Sequence, residues 1–170
     1  MEKGRFYIAV DCEGAACAVG SPLAGLGRGE NYAFAAKQAA REANAAARAL
    51  FDMGAQDVLI WDNHGDGFAQ RFPRIDESFG GVLFIGYHAR AGEKGAVLAH
   101  TYASAAYQRV EIDGQAVGEM EIDAAFAGKK GVPVIFAASD DIAAAQAKQA
   151  FPWAEPVWTK EALSYNGAIS

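Results

Sequence analysis

Apolar residues in this chain fall in short runs, and most of those runs end on side chains able to carry chemistry. Residues 5–12 are the first: Ile8-Ala9-Val10 reads as a buried strand leading into Asp11-Cys12-Glu13-Gly14. If the backbone stays extended there, Asp11 and Glu13 point the same way and Cys12 faces the opposite side, into the core. Residues 57–61, apolar at Val58, Leu59, Ile60 and Trp61, give a second strand that runs out into Asp62-Asn63-His64-Gly65-Asp66-Gly67. A third strand, 82–87, stops at His88, and a short one, 96–100, stops at His100. Further strands are expected at 132–137 and 157–159.

Between these runs the period changes to that of a helix. Asn31 is expected to cap a helix reaching Met53, with Gly54 as its stop and Tyr32, Ala36, Ala39, Ala43, Ala47 and Leu50 as its buried stripe. A second helix starts at Glu119 and runs to about Ala127, with Ile122, Ala125 and Phe126 inward and Gly128 as its stop. Ser139-Asp140-Asp141 opens a third over 142–151, ended by Pro152. Residues 109–117 read as a hairpin about Asp113-Gly114. The Gly-rich stretch 14–29, with Pro22, reads as mobile cover, and 68–80 as a surface segment broken by Pro73. Strands alternating with helices predict an α/β fold: a largely parallel sheet flanked by helices on both faces, with a β-hairpin excursion near 108–118.

Length and charge narrow the classes. The 170 residues fit one α/β domain, long enough to bury a sizeable core without disulfides. A formal charge of -6, with acids and bases mixed along the chain, offers no basic stripe for nucleic acid. The opening Met1-Glu2-Lys3-Gly4-Arg5 has no apolar core of signal-peptide length, and no stretch is long enough to span a membrane. Two close cysteines, Cys12 and Cys17, are no secreted disulfide framework, so a cytoplasmic protein with reduced thiols is expected. The tail stops at Asn166-Gly167-Ala168-Ile169-Ser170 without an evident end signal.

The strand endings define candidate chemistry. In open α/β sheets ligands bind beyond the carboxyl ends of the strands, where Asp11, Glu13, His64, His88 and His100 all fall. One histidine after a strand is ordinarily a hydrogen-bonded surface or core residue, but all three histidines of the chain close apolar runs. Two carboxylates held close together need a shared proton or a cation. Carboxylate mixed with imidazole suits zinc, whereas calcium and magnesium prefer oxygen alone. One ion would leave ligands over, so a two-metal hydrolase layout is expected, with a carboxylate such as Asp11 bridging.

Five motifs make the sequence recognisable: Val10-Asp11-Cys12-Glu13-Gly14, Asp62-Asn63-His64, Gly86-Tyr87-His88-Ala89-Arg90, Ala99-His100 and Val117-Gly118-Glu119. In this order they resemble the zinc-dependent D-aminopeptidases found with bacterial dipeptide-transport genes. The resemblance implies two Zn²⁺ per subunit, with Asp11 bridging and Glu13, His64, His88 and Glu119 completing the two sites. It also implies His100 as the catalytic histidine, short D-amino-acid peptides as substrates, and association into a homo-oligomer. Glu119 rests on the family motif alone; by itself it is an acid that favours a helix start. Asp62 is either an acceptor orienting His64 or a surface aspartate. Family members continue beyond the point matching Ser170 and carry a longer segment between the second and third strands, parts that contribute to assembly and to the substrate chamber. The residues leave open a metal-binding module without catalysis, or a two-metal hydrolase of another amide or ester.

Overall fold

A computed structural model describes residues 4–21, 25–27, 29–65, 72 and 74–170. Readings that rest on Met1-Glu2-Lys3, Pro22, Asp66-Gly67 and Pro73 lie outside the described residues. The elements run β1 (Arg5–Val10), α1 (Glu30–Asp52), β2 (Asp57–Asp62), β3 (Phe79–Ile85), β4 (Glu111–Ile112), β5 (Gln115–Ala116), α2 (Glu119–Gly128), β6 (Val134–Asp140), α3 (Asp141–Ala150), β7 (Glu155–Ser164) and β8 (Gly167–Ile169). Six strands form one sheet in the order β2-β1-β3-β6-β7-β8, and β4-β5 form a separate hairpin. The first five are parallel, and β8 runs antiparallel to β7. The expected α/β architecture and the hairpin at Asp113-Gly114 are both present, the latter with positive φ at both central residues.

Alternation along β1 sorts the core into two layers. Ile8 and Val10 face α1, whose Ala35, Ala39, Ala43 and Ala47 let the helix lie close on the sheet. Tyr7 and Ala9 face the opposite side, where α2 and α3 pack through Met120, Ala127, Ala143 and Ala147. Helices therefore cover both faces, and the strand order reverses between β1 and β3. That is where a crevice opens at the carboxyl ends of the strands. Two glycines allow the loops leaving these strands to touch: a Cβ at Gly14 would overlap Tyr87 O, and one at Gly86 (φ +73) would overlap Asp11 O. Gly14 N–H donates to Gly86 O at 2.7 Å and Asp11 N–H to Ile85 O at 2.8 Å, so the two loops form one rigid floor.

Several local expectations are corrected. Asn31 does not cap α1; the cap is Gly29, and Asn31 donates instead to Val19 O at 3.2 Å. The inward face of α2 is Glu119, Met120, Asp123 and Ala127, while Phe126 is 45% exposed. Two buried acids break the apolar period there, which is why the wrong face looked apolar. Residues 96–100 are a buried loop rather than a strand, with Leu98 at positive φ and its N–H bonded to Tyr165 O at 2.9 Å. The tail holds a ten-residue strand, Glu155–Ser164, and a returning β8. At the start of the 14–29 stretch, Ala15 and Ala18 are core residues, held by Lys160. The expected start at Asp140 holds: its side chain accepts from Ala143 N–H at 2.7 Å.

Candidate metal centre

Asp11 leaves the end of β1, His64 the end of β2 and His88 the end of β3; Glu119 opens α2, and His100 stands on the 96–100 loop. From these separate elements the fold brings all the expected residues together. His64 Nδ1 lies 2.9 Å from Asp11 Oδ1 and 3.1 Å from Glu13 Oε2. His88 Nε2 lies 3.2 Å from Glu119 Oε1 and 3.6 Å from Asp11 Oδ2. His100 Nε2 is 3.8 Å from the same Glu119 oxygen, and the His88 and His100 rings stack at 3.9 Å. Two sets of donor atoms result, each within 4.8 Å of one another: Asp11, Cys12, Glu13 and His64, and His88, His100 and Glu119. Both border a cleft of about 430 Å³ with Tyr102 and Tyr107 on its wall.

Main-chain carbonyls fix two of the imidazoles. A carbonyl can only accept, so His88 Nδ1–H donates to Ala89 O at 2.9 Å and His100 Nδ1–H to Leu98 O at 2.8 Å. Each ring then turns Nε2 towards the cluster. Asp62 accepts from His64 N–H at 3.1 Å, so it shapes the turn that carries His64 and does not touch the ring. Cys12 is a core residue, as expected, packed in the layer of Ile8 and Val10. The strand has ended at Val10, and the thiol also reaches to 3.2 Å from His64 Nδ1.

A family model for D-aminopeptidase, Peptidase_M55, matches residues 5–69 and 70–170. This chain belongs to that family. The resemblance carried by the five motifs is borne out. Among relatives, the D-aminopeptidase of Bacillus subtilis (strain 168) is 29% identical over 180 residues, covering 94% of this chain and 65% of the relative. In three dimensions the chain is similar to the Zn-dependent D-aminopeptidase DppA from Bacillus subtilis, a self-compartmentalizing protease. That likeness has a TM-score of 0.81 at 26% identity and covers 96% of this chain and 66% of DppA. This D-aminopeptidase family member thus spans just under two thirds of the length of the relatives it matches.

Protons balance the charge within the cluster. Burial raises Asp11 to about 8, and the neighbouring Glu13 charge adds to the shift against the His64 hydrogen bond. Burial would raise Glu13 as well, but hydrogen bonds with His64 and Asp11 outweigh it and hold Glu13 well below the carboxylate range. Hydrogen bonds to Asp11, Cys12 and Glu13 lift His64 far above the usual imidazole value. Burial disfavours the charged form of His88, yet Glu119, Asp11 and Glu13 raise it to about 10. Glu119 falls to about 2 despite burial, through His88. His100 is pushed down, by burial first and then by the charge on His88.

Two supports in this family member were not legible in the sequence. Lys160, 2% exposed, donates from Nζ to Glu13 O at 2.5 Å, Ala15 O at 2.9 Å and Ala18 O at 2.7 Å, fixing the turn that presents Glu13. Beneath the cleft, Asn63 Nδ2 donates to Tyr87 OH at 2.6 Å and to Asp123 Oδ2 at 2.7 Å, and Tyr87 OH donates to the same oxygen at 2.7 Å. This buried triad joins the ends of β2 and β3 to α2. The signals were present, in an Asp four residues after Glu119 and a Tyr directly before His88, but neither has meaning until the elements are placed.

Proposed function

We propose that the chain is a metallo-aminopeptidase that holds two zinc ions and releases N-terminal D-amino acids, D-alanine among them, from short peptides. The observation that carries this reading is Asp11, whose carboxylate oxygens turn to different donor groups: Oδ1 to His64 at 2.9 Å, Oδ2 to His88 at 3.6 Å. In this reading Asp11 bridges, Glu13 and His64 hold one ion, and His88 and Glu119 hold the other. Mixed carboxylate and imidazole donors fit zinc and do not fit the oxygen-only preference of magnesium or calcium. The zinc dependence of the Bacillus relative supports the same choice. Bound zinc lowers the pKa of a coordinated water towards neutrality and polarises a carbonyl oxygen.

The proton traffic falls to His100. Its Nδ1–H is committed to Leu98 O, so Nε2 carries the lone pair, and its lowered pKa keeps that lone pair free at neutral pH. Nε2 takes a proton from the attacking water and returns it to the departing amine. Glu119 is itself held in place by Tyr102 N–H at 2.9 Å. The site works in an assembly of several copies, a reading supported by the self-compartmentalizing relative. A cytoplasmic setting is supported by the free thiols of Cys12 and Cys17. Among the described residues no helix is long and apolar enough to cross a membrane.

The test is His100→Ala assayed on zinc-loaded protein with D- and L-alanyl dipeptides. Release of D-alanine is expected to fall by about 10²–10⁴-fold with zinc content unchanged. A zinc-loaded wild type that cleaves neither series would make the chain a metal-binding module without catalysis. A second expectation concerns loading. At pH 7 the metal-free site holds charged His64 and His88, both raised well above neutrality. Zinc takes only the neutral rings and the ionised Asp11 carboxylate, itself raised to about 8, so binding should expel protons from all three groups. Titration calorimetry in buffers of different ionisation enthalpy measures that release, and a value of zero would contradict the assignment of these imidazoles as ligands.

A further inference from the structure

The residue between the two carboxylates has its own place in the cluster. Cys12 is 3% exposed and packs in the core layer with Ile8 and Val10, while its N–H donates to Asp11 Oδ1 at 2.8 Å and its Sγ borders the acids from the core side. Sγ lies 3.2 Å from His64 Nδ1 and 3.6 Å from Glu13 Oε2. His64 Nδ1 is thus met on three sides, by oxygen at 2.9 Å, oxygen at 3.1 Å and sulfur at 3.2 Å. Zinc bonds of about 2.0–2.3 Å in a tetrahedron set neighbouring donors roughly 3.3–3.7 Å apart. The Cys12–Glu13 separation lies within that range and those from His64 fall a few tenths of an ångström short of it, so an ion entering would spread the donors slightly, with one donor atom from each of four residues.

We propose that Cys12 Sγ is a ligand of the cation position formed by Asp11, Glu13 and His64. This rests on the reading of the cluster as a metal centre. As the sulfur–metal bond forms, the S–H proton leaves to solvent and the thiolate stays bound. The two positions then differ in kind. One has four protein donors and is closed, the form taken by sites that hold an ion; the other has His88, Glu119 and the second oxygen of Asp11, and keeps a place for water or substrate. A thiolate also makes the closed position selective for zinc and other soft-accepting ions over magnesium or manganese.

Cobalt reports sulfur ligation directly. The full chain carrying Cys17→Ser, which removes the exposed thiol, is loaded with Co²⁺, its metal content measured and its near-ultraviolet absorption recorded. The expected result is a sulfur-to-cobalt charge-transfer band, lost on Cys12→Ser, with cobalt retained at the other position and the fold checked by circular dichroism. X-ray absorption at the zinc edge should likewise show a scatterer at about 2.3 Å in the parent and not in the variant. Two bound cobalt ions without the band would overturn the proposal while leaving the metal centre intact. Failure to take up either metal would remove the metal-centre reading and this ligand with it.

Discussion

Asp11→Asn is expected to empty both cation positions at once and to lower peptide release beyond the roughly 10²–10⁴-fold attached to a proton-transfer residue. Among the described residues no other side chain of the cluster presents one oxygen to His64 and a second to His88. The amide keeps the shape but replaces one of those oxygens with an NH₂ group, a donor where a lone pair is needed. Metal analysis should show less than one equivalent, against two in the parent. Stability without metal should move the other way. In the fold Asp11 is raised from 3.8 to about 8, so its contribution to stability is fully present below the lower value and is lost as pH rises through the upper one. Asn does not titrate. Metal-free Asp11→Asn should therefore melt progressively above metal-free parent as pH climbs from about 4 to about 8. Added zinc should reverse the order, because only the parent gains binding energy in its folded state. Equal melting of the two metal-free proteins at pH 8 would show that Asp11 carries no strain from its neighbours.

Lys160→Met should cost about 3 kcal/mol of folding stability, read as a lower denaturant midpoint. Three buried carbonyls lose their donor, each worth about 1–3 kcal/mol. Part is regained because a buried ammonium, pushed down to about 8 by burial, is no longer held away from water. The loss is not confined to stability. Glu13 O, Ala15 O and Ala18 O are the points by which the turn after Asp11 is tied to β7, so the variant should also bind zinc more weakly, and excess zinc should restore part of the midpoint by mass action. Lys160→Arg should not rescue it, since a planar guanidinium cannot repeat a three-pronged contact in the same space. An unchanged midpoint would mean that the turn is held by its own packing.

The positions of Asp11, His64 and His88 were readable because each ends an apolar strand, and a parallel sheet brings such endings to one rim. Glu119 became readable only through the family motif, since an acid at a helix start has an ordinary explanation of its own. Lys160 was hidden because a lysine inside a run of strand residues reads as an interruption, and it split β7 into a shorter piece than the ten residues observed. Cys12 was correctly read as core, but its reach to His64 was not, because alternation gives a side chain's face and not the partners that cross to it. The helix α2 was rotated in the reading for a related reason: its inward positions include Glu119 and Asp123, acids used by the cleft and the triad, so the apolar residues marked the outer face. In each case local pattern was overruled by a polar group whose partner lies far along the chain.

That distance bears on how the protein is made. The lysine that secures the Glu13 turn arrives 147 residues after it. Every donor of the candidate centre, from Asp11 to Glu119, precedes Lys160 in the chain and is synthesised before it. Contacts of such long sequence separation are intrinsically slow to close. On the proposed reading, metal capture should accordingly be a late step of biogenesis, tied to completion of β7 rather than to the first appearance of the ligands.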